Sequence, residues 1–511
     1  MEITQSLHRA AQLNPDRLFT VDGDRRRTVG HGIDRVARLA GALHGLGVAE
    51  GDRVAMLALN SDRYHEYLLA VPWAGAVVVP INFRWSPAEI AFSLAECDAT
   101  VLIVDDTFAP MVPAIRAAYP ELTTVIHAGS GAAPADSFDY EMLIATSEPA
   151  EDARRGGDDI YGIFYTGGTT GFPKGVVLTQ ENMMTSAYGT VATGEFVTPR
   201  GTLMHAAPMF HLADIAIWLG GMVSESTHRF LAAFTPASAL EMMASAGVTD
   251  SLLVPTMIQM MVDSPAAAEN DLSGVRHIIY GASPISDAVL EKAQALFSNA
   301  TFLQAYGMTE LAPVATVLLA ADHGDAKLRR SAGRAAPHTE VRVVDENDVE
   351  VARGTVGEVV ARGGATMAGY WKRPDDTAEA LRGGWMHTGD GGYMDEQGYV
   401  YIVDRIKDMI ITGGENVYSV EVENVVGKHP AVATCAVIGL PDDKWGERVH
   451  AVVVLQSGAT LELEDLQAMA REHIAGYKIP RSISFVDALP MSGAGKVLKR
   501  DLREQMATVG S

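Results

Sequence analysis

A chain of 511 residues is long enough for about three domain-sized units. With 48% hydrophobic and 20% charged residues, 49 glycines and 23 prolines, it has the make-up of a folded globular protein and excludes disordered, collagen-like and low-complexity classes. The formal net charge of −24 excludes a protein that grips nucleic acid by its phosphates, so no nucleic-acid partner is expected.

The charge is uneven. Residues 405–511 carry 12 basic and 14 acidic side chains, which leaves nearly all of the negative charge on residues 1–404. A near-neutral segment suits a part of the chain that closes over a polyanionic ligand. Cys97 and Cys435 stand far apart among apolar neighbours, without disulfide or zinc spacing, and read as small buried hydrophobes. Met1–Gln5 has no basic and apolar leader, and Thr508–Ser511 is neither a peroxisomal address nor a lipidation box. The longest apolar run, Leu68–Ile81, contains Pro72 and Pro80 and is too short to span a bilayer. A cytoplasmic protein without a membrane span is expected.

Along the chain, Ile33, Val36, Leu39, Leu43 and Leu46 recur at helical spacing, and Gly47 fits the C-terminal cap. Arg53–Leu59, Thr100–Val104, Ile160–Phe164, Asp250–Val254, His277–Tyr280 and Thr301–Ala305 read as buried strands. Their alternation with helical runs predicts layered α/β subdomains with largely parallel sheets. After about residue 338 the texture changes. Glu340–Asp345, Glu358–Arg362 and Tyr399–Asp404 predict short strands between Gly-rich turns, as in a small distorted β-barrel. The charged pentapeptide Asp404–Asp408 marks a boundary: 1–404 is expected to be a large domain and 405–511 a small mobile α+β domain. In the latter, Thr434–Leu440, His450–Leu455 and Ser482–Val486 read as strands.

The strongest local signal is Tyr165-Thr166-Gly167-Gly168-Thr169-Thr170-Gly171-Phe172-Pro173-Lys174-Gly175, directly after the apolar strand Ile160–Phe164. Its four glycines let backbone N–H groups converge on anionic oxygens. The hydroxyls of Thr166, Thr169 and Thr170 add donors, and Lys174 adds a point charge. Lys174 follows Pro173 rather than glycine, so this is not a Walker A loop, but phosphate binding is expected of it.

This segment resembles the phosphate loop of the adenylate-forming superfamily, which includes acyl-CoA synthetases, peptide-synthetase adenylation domains and luciferases. Further stretches resemble its motifs in order: Tyr280-Gly281-Ala282-Ser283-Pro284, Ala305-Tyr306-Gly307-Met308-Thr309-Glu310, His387-Thr388-Gly389-Asp390, Asp404–Asp408, Gly413-Gly414-Glu415-Asn416 and Gly493-Ala494-Gly495-Lys496. The resemblance spans essentially the whole chain. One departure is Gly168, where the loop usually has Ser.

The resemblance implies an enzyme that joins a carboxylate to the α-phosphate of ATP, expels pyrophosphate and transfers the acyl group to the thiol of CoA. Because both reacting partners are anions, the site has to neutralise charge and align them. Thr166, Gly167, Gly168, Thr169, Thr170, Gly171 and Lys174 would hold the phosphates, with Thr170 counted among the catalytic groups. Gly281, Ala282, Ser283, Ala305, Tyr306, Gly307, Met308 and Thr309 would form the adenine site, and Tyr306 offers it an aromatic face. Glu310 is the natural hard-oxygen ligand for Mg²⁺, with the Thr166 hydroxyl beside it. The resemblance assigns the ribose to Asp390, ribose or phosphate to Arg405, and the developing charge between carboxylate and α-phosphate to Lys496. It places a hinge at Lys407 and a CoA channel at Gly413, Gly414 and Glu415.

Relatives that activate amino acids usually hold the amine with an Asp after Phe. Here Phe210 is followed by His211, Asp214 comes three residues late, and the 15 residues after Lys496 hold no carrier domain. The acid is therefore expected to lack an amine and the acceptor to be CoA. His211, Ile215, Tyr280, Ala305 and Met308 are the expected acyl-pocket residues. A medium- or long-chain fatty acid is the first choice and a cinnamate- or ferulate-type aryl acid the second. A luciferase-like oxygenase shares every motif; a non-catalytic nucleotide-binding protein would lack Lys496, Glu310 or Asp390, and all three are present. A homodimer is compatible with this reading.

Overall fold

Apolar strands alternating with helices bury both strand faces when helices cover a parallel sheet on each side, and this chain uses that solution twice. The computed structural model describes residues 1–166, 173–283, 285–413, 415–442, 444–491 and 497–509, with the backbone alone for Lys407, Asn416 and 507–509. It packs as two units, Met1–Val341 with Ala361–Met386, and Arg342–Val360 with His387–Ser511.

In the first unit, Ile160–Thr166, Val77–Pro80, Arg53–Leu57, Val101–Val104, Thr124–His127 and Phe138–Asp139 lie in that order as parallel strands of an eight-stranded sheet. Lys174–Thr179 folds back antiparallel on Ile160–Thr166, and Gly369–Tyr370 pairs antiparallel with it at the edge. The second sheet has nine strands. Its parallel centre runs Leu18–Asp22, Thr227–Phe230, Thr202–His205, Asp250–Leu253, His277–Gly281 and Thr301–Tyr306, with antiparallel strands at both edges.

The expected strands and helices are present with small shifts at their ends. The helix Val29–Gly45 is capped by Thr28, whose hydroxyl accepts from His31 N–H at 3.3 Å, and it buries Val36, Leu39 and Leu43; the chain leaves through Gly47 at φ +88°. The apolar run 68–81 splits into the helix Asp62–Trp73 and the strand Val77–Pro80, both buried throughout. Among the described residues no helix is long and apolar enough to cross a membrane. The two cysteines are free thiols; burial pushes Cys97 up to about 11 and Cys435 up to about 12.

The second unit contains two sheets. One has the strand order Thr339–Val344, Gly357–Gly363, Met386–Met394, Val400–Arg405, the first three strands reaching the unit's boundary. Among the described residues its outer strands are not paired with each other, so where a small barrel is expected the described strands form an open four-stranded sheet. The other sheet runs Glu415–Val417, Ile410–Thr412, Gly446–Leu455, Val432–Asp442, and Ser482–Phe485 pairs parallel with Gly446–Leu455. By packing, the division thus falls at Val341, Val360 and Met386, and the open sheet groups with the C-terminal segment. The expected boundary at 404–408 lies within the second unit.

Tyr67 shows how the first sheet is locked. Its buried hydroxyl donates to Val54 O at 2.8 Å and accepts from Val79 N–H at 2.7 Å, joining two parallel strands. Tyr67→Phe leaves both backbone groups unpaired in the core. It should lower stability by about 1–3 kcal/mol, read as a lower urea midpoint by tryptophan fluorescence with the native circular dichroism retained.

Candidate active site

Ligands of open α/β sheets collect beyond the C-terminal ends of the parallel strands. Here His277–Gly281 and Thr301–Tyr306 end side by side, with Gly281 opposite Ala305. A Cβ on Gly281 would stand 2.2 Å from the Ala305 carbonyl oxygen, so only glycine allows this approach. Past the strands come Ala282 at φ +66° and Ser283 on one side, and Gly307, Met308 and the short turn Thr309–Leu311 on the other. That turn carries Glu310 inward, where it is 6% exposed, while Tyr306 and Met308 pack half-buried against the core. Pro284 lies outside the described residues.

Glu310 Oε1 accepts from the Tyr370 hydroxyl at 2.8 Å. Tyr370 sits on the edge strand Gly369–Tyr370, opposite Val176. Lys174, at the start of the neighbouring strand, holds its ammonium 5.1 Å over the Tyr370 ring and 3.1 Å from Asp376 Oδ1. Thr166 pairs with Lys174 across the antiparallel ladder, and its hydroxyl donates to Lys174 O at 3.5 Å. The base of the glycine-rich segment and Glu310 therefore share one clamp. The segment itself, with Gly167, Gly168, Thr169, Thr170 and Gly171, lies outside the described residues. Burial, reinforced by the Glu310 carboxylate, pushes the Tyr370 phenol far up, so it stays protonated and donates.

A carboxylate and a threonine hydroxyl are hard oxygen donors, which Mg²⁺ takes together with phosphate oxygens and water. Among the described residues no three His, Cys, Asp or Glu side chains gather into a cation cage. The donor set at Glu310 and Thr166 fits a cation that shares its ligands with a bound phosphate.

His211 starts the helix Leu212–Val223, half-buried, its ring 4.1 Å from that of Phe210. Ala305 packs with Ala213, Ile217, Ile279 and Phe196, whereas Ile215 and Met308 belong to the layer of Phe210 and Trp218. Tyr280 lies apart, in the layer of Ile278 and Met257, with its hydroxyl spent on His323 Nε2 at 2.9 Å. Asp214 is fully buried and lies 2.7 Å from His205 Nδ1, while His205 Nε2 meets His228 Nδ1 at 3.0 Å. Desolvation holds the Asp214 carboxyl above the usual range against the pull of His205. Asp214 is thus paired with His205.

In the second unit, Asp390 stands opposite Arg405 on adjacent strands, and their side chains pair at 2.6 Å. Glu358 fixes the preceding turn by accepting from Gly389 N–H at 3.0 Å and pairing with His387 Nδ1 at 2.9 Å. Lys407 lies in the short turn Ile406–Asp408. Asp404 accepts from the Ser419 N–H and hydroxyl, and Arg503 donates to Asp408 at 2.8 Å. Gly413, at φ +62°, donates to Trp445 O at 2.7 Å, and a Cβ there would reach 2.8 Å from the Trp445 ring. Glu415 begins the strand Glu415–Val417. Gly414 and Lys496 lie outside the described residues.

Sequence reasoning missed Tyr370, Asp376 and Glu358. Each is remote in sequence from the group it holds, so no local pattern could have marked it. Ala213, Ile217 and Ile279 were legible only as ordinary core positions.

The chain matches the family model described as AMP-binding enzyme over residues 7–371, and that described as AMP-binding enzyme C-terminal domain over residues 421–496. It is 39% identical to a feruloyl-CoA synthase of an Amycolatopsis species over 97% of both chains. It is 38% identical to the long-chain-fatty-acid–CoA ligase FadD13 of Mycobacterium tuberculosis, covering 92% of this chain and 91% of that one. Among solved structures, ATP-bound MatB from Rhodopseudomonas palustris superposes over 100% of both chains, with a TM-score of 0.90 and 30% identity.

The His205–Asp214 pair yields a prediction. His205→Leu leaves a buried carboxyl without its partner, which costs about 3–5 kcal/mol when the group ionises on unfolding. A carboxyl whose folded pKa is raised favours the protonated fold, so the penalty is small near the ordinary value of about 3.9 and grows as pH rises toward the folded value. Urea titrations at pH 4.5 and pH 7 should show the variant's deficit widening with pH. A deficit independent of pH would mean that Asp214 is not the group involved.

Proposed function

The chain belongs to the AMP-binding enzyme family, and on that premise we propose that it activates an uncharged, apolar carboxylic acid, with a medium- or long-chain fatty acid favoured. It is an AMP-forming acyl-CoA synthetase, with the acid, ATP and CoA as small-molecule substrates. The observation that carries the reading is the clamp in which Tyr370 joins Glu310 to Lys174 beside the strand-end turns at Gly281 and Gly307.

Carboxylate and triphosphate repel one another, so the first half-reaction depends on charge placement. Lys174 and the glycine-rich backbone bind phosphate oxygens. Tyr306 and the turn Gly281–Ser283 take the adenine, and Asp390 accepts from the ribose hydroxyls with Arg405 beside it. Glu310 and the Thr166 hydroxyl would hold Mg²⁺, which when bound supplies charge neutralisation at the phosphates. Lys496 bridges the substrate carboxylate and the α-phosphate, where negative charge builds as the acyl-phosphate bond forms and pyrophosphate leaves. In the second half-reaction the thiol attacks the acyl carbonyl and AMP departs. Residues 405–511 turn about Lys407 between the two steps, and Gly413, Gly414 and Glu415 then line the pantetheine channel. Asp408 and Arg503 both lie beyond Lys407 and move together, whereas the bond from Ser419 to Asp404 spans Lys407 and opens as the segment turns. The enzyme works in the cytoplasm.

His211 after Phe210, and Asp214 committed to His205, support an acid without an amine. A second reading, an aryl acid of the cinnamate or ferulate type, is favoured by the small side chains of Ala213 and Ala305 against Ile217 and Ile279, and by the full-length similarity to a feruloyl-CoA synthase.

A panel of acids assayed by pyrophosphate release with ATP and CoA tests the assignment. Each buried methylene is worth up to roughly 0.8 kcal/mol, so kcat/KM should rise with chain length until the pocket is filled. A peak at ferulate or cinnamate would select the aryl reading, and preference for any amino acid would refute both. Lys496→Ala should slow adenylate formation on the order of 100- to 1000-fold, while CoA still consumes preformed acyl-AMP. Equal loss in both halves would remove the assigned role.

A further inference from the structure

Tyr370 touches both charged groups of the clamp, and the reaction as described gives it no task. We propose that Tyr370 is a positioning residue for adenylate formation, setting the Glu310 carboxylate and the Lys174 ammonium at one spacing so that both meet the triphosphate together. This rests on the assignment of Glu310 and Lys174 to ATP.

Two observations carry it. The two contacts are made by different parts of one side chain: the hydroxyl donates to Glu310 Oε1 at 2.8 Å, and the ring face lies 5.1 Å under Lys174 Nζ. The backbone around Tyr370 is laced to the same two neighbours. Met367 N–H donates to Glu310 O at 2.9 Å and Trp371 N–H to Gly175 O at 2.8 Å, while Tyr370 N–H donates to Thr377 Oγ1 at 2.9 Å. Tyr370 therefore cannot shift without moving the Glu310 turn or the foot of the glycine-rich segment. Asp376, 3.1 Å from Lys174, holds the ammonium from the other side.

The hydroxyl and the ring are separable by substitution. Tyr370→Phe keeps the ring under Lys174 and removes only the donor to Glu310; Tyr370→Leu removes both. The experiment is calorimetric binding of α,β-methylene-ATP to the full chain, with and without Mg²⁺, for both variants, Glu310→Gln and the Tyr370→Phe/Glu310→Gln double variant. A hydrogen bond to a charged group makes a net contribution large enough that Tyr370→Phe should reduce the Mg²⁺-dependent gain in affinity about tenfold. Binding without Mg²⁺ and the urea midpoint should hardly move. Tyr370→Leu should also weaken binding without Mg²⁺. Glu310→Gln should remove most of the gain, and adding Tyr370→Phe to it should change nothing more, because Tyr370 acts through Glu310. If Tyr370→Phe retains the full gain while Glu310→Gln loses it, or if the two effects simply add, the positioning role is overturned and the Glu310 assignment stands. If Glu310→Gln also retains the full gain, the assignment of Glu310 itself fails.

Discussion

Everything in this molecule turns on the repulsion between two anions. A carboxylate and a triphosphate have to come within bonding distance, and the interaction that allows it is attraction to cations and N–H groups fixed in advance. In the proposed site, a strongly acidic chain gathers such an arrangement in one corner of the first unit. The foot of the glycine-rich segment, the strand-end turn bearing Glu310 and the edge strand bearing Tyr370 come from three distant stretches of sequence. Tyr370 links them, its hydroxyl donating to Glu310 and its ring lying under Lys174, and backbone bonds from Met367 to Glu310 and from Trp371 to Gly175 run alongside.

Under the proposed mechanism, the residues that hold the nucleotide sit on a rigid sheet, while Lys496 leaves the reacting atoms once the adenylate has formed and the thiol takes its approach. A near-neutral C-terminal segment beyond the short turn Ile406–Asp408 suits that task. Around the turn, Asp390 pairs with Arg405, Asp404 with Ser419 and Asp408 with Arg503.

Sequence alone made the layered architecture legible. Runs such as Val101–Val104 and His277–Gly281 are apolar because helices cover them on both faces, and that pattern survives without knowledge of the fold. Gly281 was named through the motif it resembles; that the Ala305 carbonyl leaves no room for a Cβ there is visible only in the fold. What stayed hidden was whatever depends on tertiary proximity. Tyr370 is about 60 residues from Glu310 and nearly 200 from Lys174, and only the edge pairing of Gly369–Tyr370 brings the three together. Tyr280 is a different case. Its place beside the adenine motif suggested a pocket residue, but strand alternation turns it to the other face, against His323.

The most direct test of the account is acid-dependent exchange of labelled pyrophosphate into ATP, measured without CoA. If a carboxylate attacks the α-phosphate in a reversible first step, exchange requires Mg²⁺ and an apolar acid, proceeds without any thiol, and produces AMP rather than ADP once CoA is added. Exchange that appears only with CoA, or formation of ADP and phosphate, would contradict the adenylate as the intermediate on which every assignment here depends.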